Sequence, residues 1–373
     1  MKKCIAASSF ICLLVALPAP SWAIQEGSGA SLVWHDAREL PLEGRAWADT
    51  PDPWCRLPVR VKDKVTPSVW SLSKWSAGLA LRFTCSAPKF VIKWSLKSPR
   101  LAWPHFPATN VSGVDVYAWR GDDRGWRYAK CQKVWGQNTN EMEVALGPNV
   151  PAMIYLPTYN GITDLRIGVP EGATFKPVPE RPEGHRKPLV VFGTSITEGA
   201  CASRAGMGYA MILARDLDLE LVNLGFAGAA QQEPAMADLL GEIDAACYVV
   251  DCLHNMDLAK TKARFEPFLR RLHALRPNIP IVTADACTAS MKPSAKDLFC
   301  RETVNRLRKE DPKLWGNLFH LPCEEMFPWD GDPSVDGCHP NDWGMKFVAK
   351  GFEKYVRQAL NWPARNVNWM KGQ

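Results

Sequence analysis

From Leu189 onward short apolar runs alternate with helical stretches, and this alternation constrains the fold more than any single motif. Leu189–Phe192, Leu221–Leu224, Cys247–Cys252, Pro280–Ala284 and Leu318–Leu321 read as strands. Between and after them, Tyr209–Leu217, Ala235–Ile243, Phe265–Arg276, Asp297–Glu310 and Trp343–Leu360 read as helices. Strand–helix alternation of this kind predicts a parallel sheet covered on both faces. In such a sheet a functional site lies at the carboxyl ends of the strands.

The chain before this region follows a different rule. Residues 31–178 read as all-β, with short runs separated by Gly, Pro and Asp clusters at intervals suited to a sandwich. In Leu79–Thr84 the large apolar residues fall at every second position, and Phe90–Trp94 and Val114–Trp119 are rich in β-branched and aromatic residues. Gly121–Gly125 between Trp119 and Trp126 reads as a hairpin loop. The proline-rich, charged stretch 179–187, flanked by Pro177 and Pro188, reads as a linker. The expected organisation is a β-domain over 24–178, an α/β domain over 188–362 and a tail over 363–373.

Residues 1–23 carry an address. Lys2 and Lys3 precede a mostly apolar Ile5–Leu17, Pro18 and Pro20 break it, and Ser21-Trp22-Ala23 supplies small residues at a cleavage position. A removable signal peptide and a periplasmic or secreted protein are expected; a buried N-terminal helix is the competing reading. No later stretch has the apolar length of a membrane span. A formal charge of +6 over 373 residues, spread along the chain, does not point to nucleic acid. Twelve cysteines lack any Cys-x-x-Cys spacing, so most are expected to be buried thiols, with one or two bridges open.

Chemistry gathers at the strand ends. Ser195 follows the first strand of the α/β region and opens a turn into a helix, where its oxygen is exposed and backbone N–H groups point at a developing oxyanion. The same position suits a helix N-cap, a role open to Ser195 or Thr194. A serine hydroxyl needs a base, and Asp336-Gly337-Cys338-His339-Pro340 offers one: His339 as general base, with Asp336 to orient its ring. Two more strand ends carry donors for an oxyanion: the backbone of Gly228 and the side-chain amide of Asn255. Each alone is also an ordinary loop residue.

Gly193-Thr194-Ser195, Gly228, Asn255 and Asp336-x-x-His339 stand in the order and spacing of the four blocks of the SGNH (GDSL-type) hydrolase superfamily, and residues 188–360 resemble it. The resemblance implies a flavodoxin-like three-layer α/β/α domain. It also implies Ser195 as nucleophile, His339 and Asp336 completing a triad, and Ser195, Gly228 and Asn255 as the oxyanion hole. Gly113-Val114-Asp115-Val116-Tyr117 is similar to the Gly-x-Asp-Leu-Tyr signature of a β-domain, jelly-roll-like, that precedes one group of these enzymes. Tyr155–Gly161 resembles that group's next strand and turn. Thr194 replaces the usual Asp of the first block. In the third block Leu253 and Met256 replace a Gly and an Asp.

These features point to acyl-ester hydrolysis, with no metal and no organic cofactor expected. Secretion, the appended β-domain and the resemblance favour a carbohydrate O-acetylesterase acting on an acetylated polysaccharide or oligosaccharide. Trp329 and Trp343, which flank the Asp336–His339 loop, and His254 beside Asn255 are candidate substrate contacts. Of sixteen tryptophans, eleven precede the linker, and most of those are expected in the sandwich core. The alternatives are a lipid or phospholipid esterase, an acyltransferase with the same triad, and a carbohydrate-binding protein with a silent site.

Overall fold

The computed structural model describes residues 31–121, 124–134, 136–286, 292–326 and 331–364. The expected signal peptide, Trp329 and most of the expected tail lie outside them. The described residues from Leu32 onward form one compact unit.

Its first part is a two-sheet sandwich. Strands β1 (Leu32–Asp36), β2 (Leu42–Glu43), β3 (Ala80–Cys85), β4 (Lys89–Leu96) and β5 (Asp115–Trp119) are followed by β6 (Trp126–Cys131), β7 (Thr139–Ala145), β8 (Ala152–Tyr155), β9 (Ile162–Pro170) and β10 (Phe175–Pro177). One sheet has the order β1-β9-β4-β7 and the other β10-β3-β8-β5-β6, with β2 paired to β3. In β4 every second residue, Phe90, Ile92, Trp94 and Leu96, is buried between the sheets. Residues of β5 and β8 are buried on both faces. Val116 and Ile154 face the sandwich core, while Tyr117, Met153 and Tyr155 pack into the α/β core. The expected hairpin is present, with Trp119 opposite Trp126.

Two helices interrupt the β-region, α1 (Pro67–Leu72) and α2 (Ala108–Val111). The segment around α1 departs from the all-β reading for a physical reason. Its apolar side chains Trp47, Leu57, Val61, Val65 and Val69 pack into the α/β core with Val190, Phe192 and Val222, not between the sandwich sheets.

The second part is the expected parallel sheet. Strands β11 (Leu189–Gly193), β12 (Leu221–Gly225), β13 (Cys247–Asp251), β14 (Ile281–Ala284) and β15 (Leu318–Leu321) take the order β12-β11-β13-β14-β15. The helices are α3 (Ser195–Glu198), α4 (Tyr209–Leu217), α5 (Pro234–Gly241), α6 (Leu258–Leu275), α7 (Ala295–Glu310), α8 (Pro312–Trp315) and α9 (Asp342–Ala359). Leu189 and Val191 face the layer containing α4 and α9, and Val190 and Phe192 face that of α5, α6 and α7. The strand order reverses direction at β11, so the crevice of a doubly wound sheet opens at the carboxyl end of that strand.

The Gly113–Tyr117 motif fastens the two parts. Asp115 Oδ2 accepts a hydrogen bond from the Gly206 N–H at 3.0 Å and lies 3.1 Å from Arg204 Nε. Tyr117 donates to the Gly206 carbonyl at 3.3 Å, and the Arg215 guanidinium sits 3.9 Å from its ring centre. A Cβ at Gly113 would lie 2.3 Å from the Thr109 carbonyl oxygen, so only glycine fits there. The nine described cysteines are all free, and none of the bridges left open by the sequence forms among them.

Candidate active site

Ser195 is placed by a turn with no spare room. A Cβ at Gly193 would fall 2.0 Å from Thr197 Oγ1 and 2.7 Å from the Asp251 carbonyl oxygen. Thr194, not Ser195, is the N-cap of α3, its hydroxyl accepting from the Ile196 N–H at 3.4 Å. Ser195 is therefore free to point elsewhere, and its Oγ lies 2.9 Å from His339 Nε2. Behind it, Tyr159 donates to the Ser195 carbonyl at 3.0 Å.

His339 and Asp336 come from the loop between β15 and α9. His339 Nδ1 lies 2.7 Å from Asp336 Oδ2, while Asp336 Oδ1 accepts from the N–H groups of His339 at 2.7 Å and Cys338 at 3.0 Å. Burial works against ionisation of Asp336, but the bonds from the His339 N–H and imidazole and the Cys338 N–H outweigh it and hold the carboxyl at about 2. With Asp336 ionised and accepting, Nδ1 carries the proton and Nε2 is left to accept from Ser195.

The other strand ends are stitched to this one. The Phe226 N–H donates to the Gly193 carbonyl at 2.9 Å and the Ala227 N–H to Glu198 Oε2 at 3.1 Å. Gly228 has φ +68°, a conformation that favours glycine, and open space where a side chain would be. Asn255 closes a 3-10 turn after β13, and its amide reaches the Phe226 carbonyl at 3.4 Å. His254 is half-buried, with its ring nitrogens directed into the protein. Its Nδ1 lies 3.7 Å from Cys338 Sγ, and its Nε2 is cut off from water with no hydrogen-bond partner among the described residues. Burial, reinforced by Lys296 and His339, pushes its pKa down to about 3, so the ring stays neutral. Trp343 stands on the first turn of α9, 48% exposed, with its ring against Phe347.

Several neighbours give no sign in the sequence. Arg56, fully buried, donates to the carbonyls of Trp75, Leu72, Asn223 and Gly225 and to Glu198 Oε1 at 2.8 Å. Asn223 and Gly225 lie two apart on the edge strand β12, so Arg56 closes its open side, with its guanidinium 4.8 Å from the Phe226 ring centre. From the sandwich, the turn Trp103–Phe106 brings the rings of His105 and Phe106 within 5.8 and 6.0 Å of the His339 ring. Only Pro104 within it and Pro107 after it mark that turn as a loop. Among the described residues two groups have a metal-binding donor set: His105, Cys201, Asp336 and His339, and Asp285, Cys323 and Glu324. In the second, Arg301 already bonds both Asp285 and Glu324.

The parallel sheet with its strand-end site and the fastened β-domain define a class, and comparison with known proteins assigns it. The GDSL-like lipase/acylhydrolase family model matches residues 186–357, and the model for the GxDLY N-terminus of SGNH-type esterases matches residues 32–175. The chain belongs to the SGNH (GDSL-type) hydrolases, in the group with a Gly-x-Asp-Leu-Tyr β-domain. It is similar to a solved putative GDSL-like lipase from Bacteroides ovatus, with 27% identity and a TM-score of 0.79 over 89% of this chain and 98% of that one. It is also similar in fold to a salicylyl-acyltransferase from a tetracycline biosynthetic pathway, at 18% identity and TM-score 0.70 over 90% and 99% of the two chains. A family two carbohydrate esterase from Cellvibrio japonicus shares the fold at 13% identity and TM-score 0.57 over 89% and 99%. No curated protein sequence matches the chain.

Proposed function

We propose that this hydrolase is an exported serine esterase that removes acetyl groups from a carbohydrate. The observation that carries the reading is the unbroken relay Ser195 Oγ–His339 Nε2 at 2.9 Å and His339 Nδ1–Asp336 Oδ2 at 2.7 Å. In the proposed cycle Ser195 Oγ attacks the ester carbonyl carbon and its proton passes to His339 Nε2. The sugar alkoxide leaves with that proton, giving an acetyl-Ser195 ester and a free hydroxyl. Water then attacks, again through His339, and acetate departs. The N–H groups of Ser195 and Gly228 and the Asn255 amide hold the oxyanion at each tetrahedral stage. No step calls for a metal or an organic cofactor.

The β-domain and the fold shared with a carbohydrate esterase support the sugar substrate. The fold shared with a salicylyl-acyltransferase supports the second reading, in which an acceptor hydroxyl replaces water. The test measures acetate release from acetylated xylan, mannan and pectin, alongside turnover of aryl acetate, butyrate and octanoate. Ser195→Ala should lower acetate release by ~10³-fold or more. Faster turnover of octanoate with no acetate from any glycan would sink the carbohydrate reading. Full activity in Ser195→Ala would remove the mechanism, and acyl transfer outrunning hydrolysis would favour the transferase.

A further inference from the structure

We propose that His105, Cys201, Asp336 and His339 form an inhibitory site for a thiophilic divalent cation of the Zn²⁺ type, laid directly over the relay. One ligand atom from each residue lies within 4.8 Å of all the others. They reach the spot from three separate parts of the chain: the sandwich turn that carries His105, the segment after α3 that carries Cys201, and the loop after β15 that carries Asp336 and His339.

The donor set is two imidazoles, one thiol and one carboxylate, the composition that four-coordinate zinc accepts. Bonds of about 2.0–2.3 Å around a tetrahedral ion put neighbouring ligand atoms roughly 3.3–3.7 Å apart. His105 Nε2 is already 4.0 Å from Asp336 Oδ2, so side-chain rotations of about 1 Å close the set. The thiol and imidazoles select against Mg²⁺ and Ca²⁺, which need an all-oxygen shell.

Access is graded in a way that suits an ion arriving from solvent. The His105 and Asp336 side chains are 41% and 37% exposed, whereas Cys201 is 6% exposed, at the floor among Phe106, Val111 and Tyr159. Cys201 also holds φ +64°, a left-handed backbone that a β-carbon makes costly. On coordination the Cys201 thiol gives its proton to solvent and the sulfur binds as thiolate. Asp336 and a His339 ring nitrogen turn from the relay to the metal, so the ring no longer bridges Asp336 and Ser195. Binding stands on the donor geometry alone; inhibition rests on the role proposed above for His339.

The experiment pairs a binding readout with an activity readout on the full chain. Co²⁺ is titrated as a spectroscopic stand-in for zinc, and aryl acetate hydrolysis is followed as Zn²⁺ is added. Wild type should show the thiolate-to-cobalt charge-transfer band and the intense visible bands of tetrahedral Co²⁺. Cys201→Ser should lose the first, and Cys338→Ser should keep it. Relative to each variant's own metal-free rate, Cys201→Ser and His105→Ala should need about tenfold or more Zn²⁺ for half inhibition. His105 is exposed, so its variant remains a test should Cys201→Ser fold poorly. Absence of the charge-transfer band in wild type, or an unchanged half-inhibition concentration in His105→Ala, overturns the site. Stimulation by Zn²⁺ overturns the inhibitory role. A chain that binds Co²⁺ as described but hydrolyses no ester leaves the site standing and removes the esterase reading instead.

Discussion

Replacing Arg56 with Met should cost about 3–5 kcal/mol of stability, the range for removing one partner of a buried charged pair. All five N–H donors of its guanidinium are used inside the protein, four on backbone carbonyls and one on Glu198. The Met side chain matches the stem but satisfies none of those acceptors, and Glu198 loses the cation facing it. The cost should depend on pH, and the sign follows from Glu198. Burial pushes its carboxyl up to about 8 against the lowering pull of Arg56, from an ordinary value of 4.5. A carboxyl raised by folding favours the neutral form, so its contribution to stability falls as pH rises from 4.5 and levels off above the folded pKa. Without Arg56 that folded pKa rises further, so the deficit of Arg56→Met should be smallest near pH 5 and grow toward pH 9. Urea unfolding of wild type, Arg56→Met, Glu198→Gln and the double variant at pH 5, 7 and 9 measures this. At pH 9 the double variant should be more stable than Arg56→Met alone, because Gln removes a carboxyl that must either bury its charge or take up a proton on folding. A deficit of Arg56→Met that is flat with pH, or effects that add within about 0.5 kcal/mol, would refute the reasoning.

Three further outcomes are expected. Asn255→Ala should lower kcat by ~10²–10³-fold with little change in KM, and a loss below about tenfold would remove it from the oxyanion site. His254 is held neutral down to about 3 while its ordinary value is 6.5, so its contribution is full above 6.5 and lost as pH falls below it. His254→Gln should therefore flatten the acid side of the stability–pH curve by up to about 1.4 kcal/mol per unit, and an unchanged slope in urea titrations would contradict the burial of its ring. Gly193→Ala should destabilise by about 1–3 kcal/mol or more, because the new Cβ meets backbone as well as Thr197; a thermal melt close to that of wild type would show that the turn has slack.

What was legible in the sequence was what is local or periodic. Strand and helix alternate because each buries a face with its own repeat, and that pattern leads to the parallel sheet and places the site at its carboxyl edge. Asp336 and His339 stand three residues apart, so their pairing is a property of one turn. Gly193 and Thr194 mark the strand-to-helix turn on which Ser195 stands, although only the structure shows that the cap is Thr194 and that Ser195 faces His339.

The rest depended on contacts with no local signature. Arg56 and Glu198 lie 142 residues apart, and a lone Arg and a lone Glu read as surface charges until the fold closes over both. Trp47, Leu57 and Val69 read as sandwich residues, because apolar character says that a side chain is buried and not against which sheet. His105 has no periodicity to announce it; the docking of the sandwich, through Asp115 and Tyr117, brings its ring beside that of His339. The sequence alone determines the elements and the chemistry carried at their ends. Which charges become buried partners and which donors converge on one point is decided by packing between elements, where free energy is gained from neighbours distant in the chain.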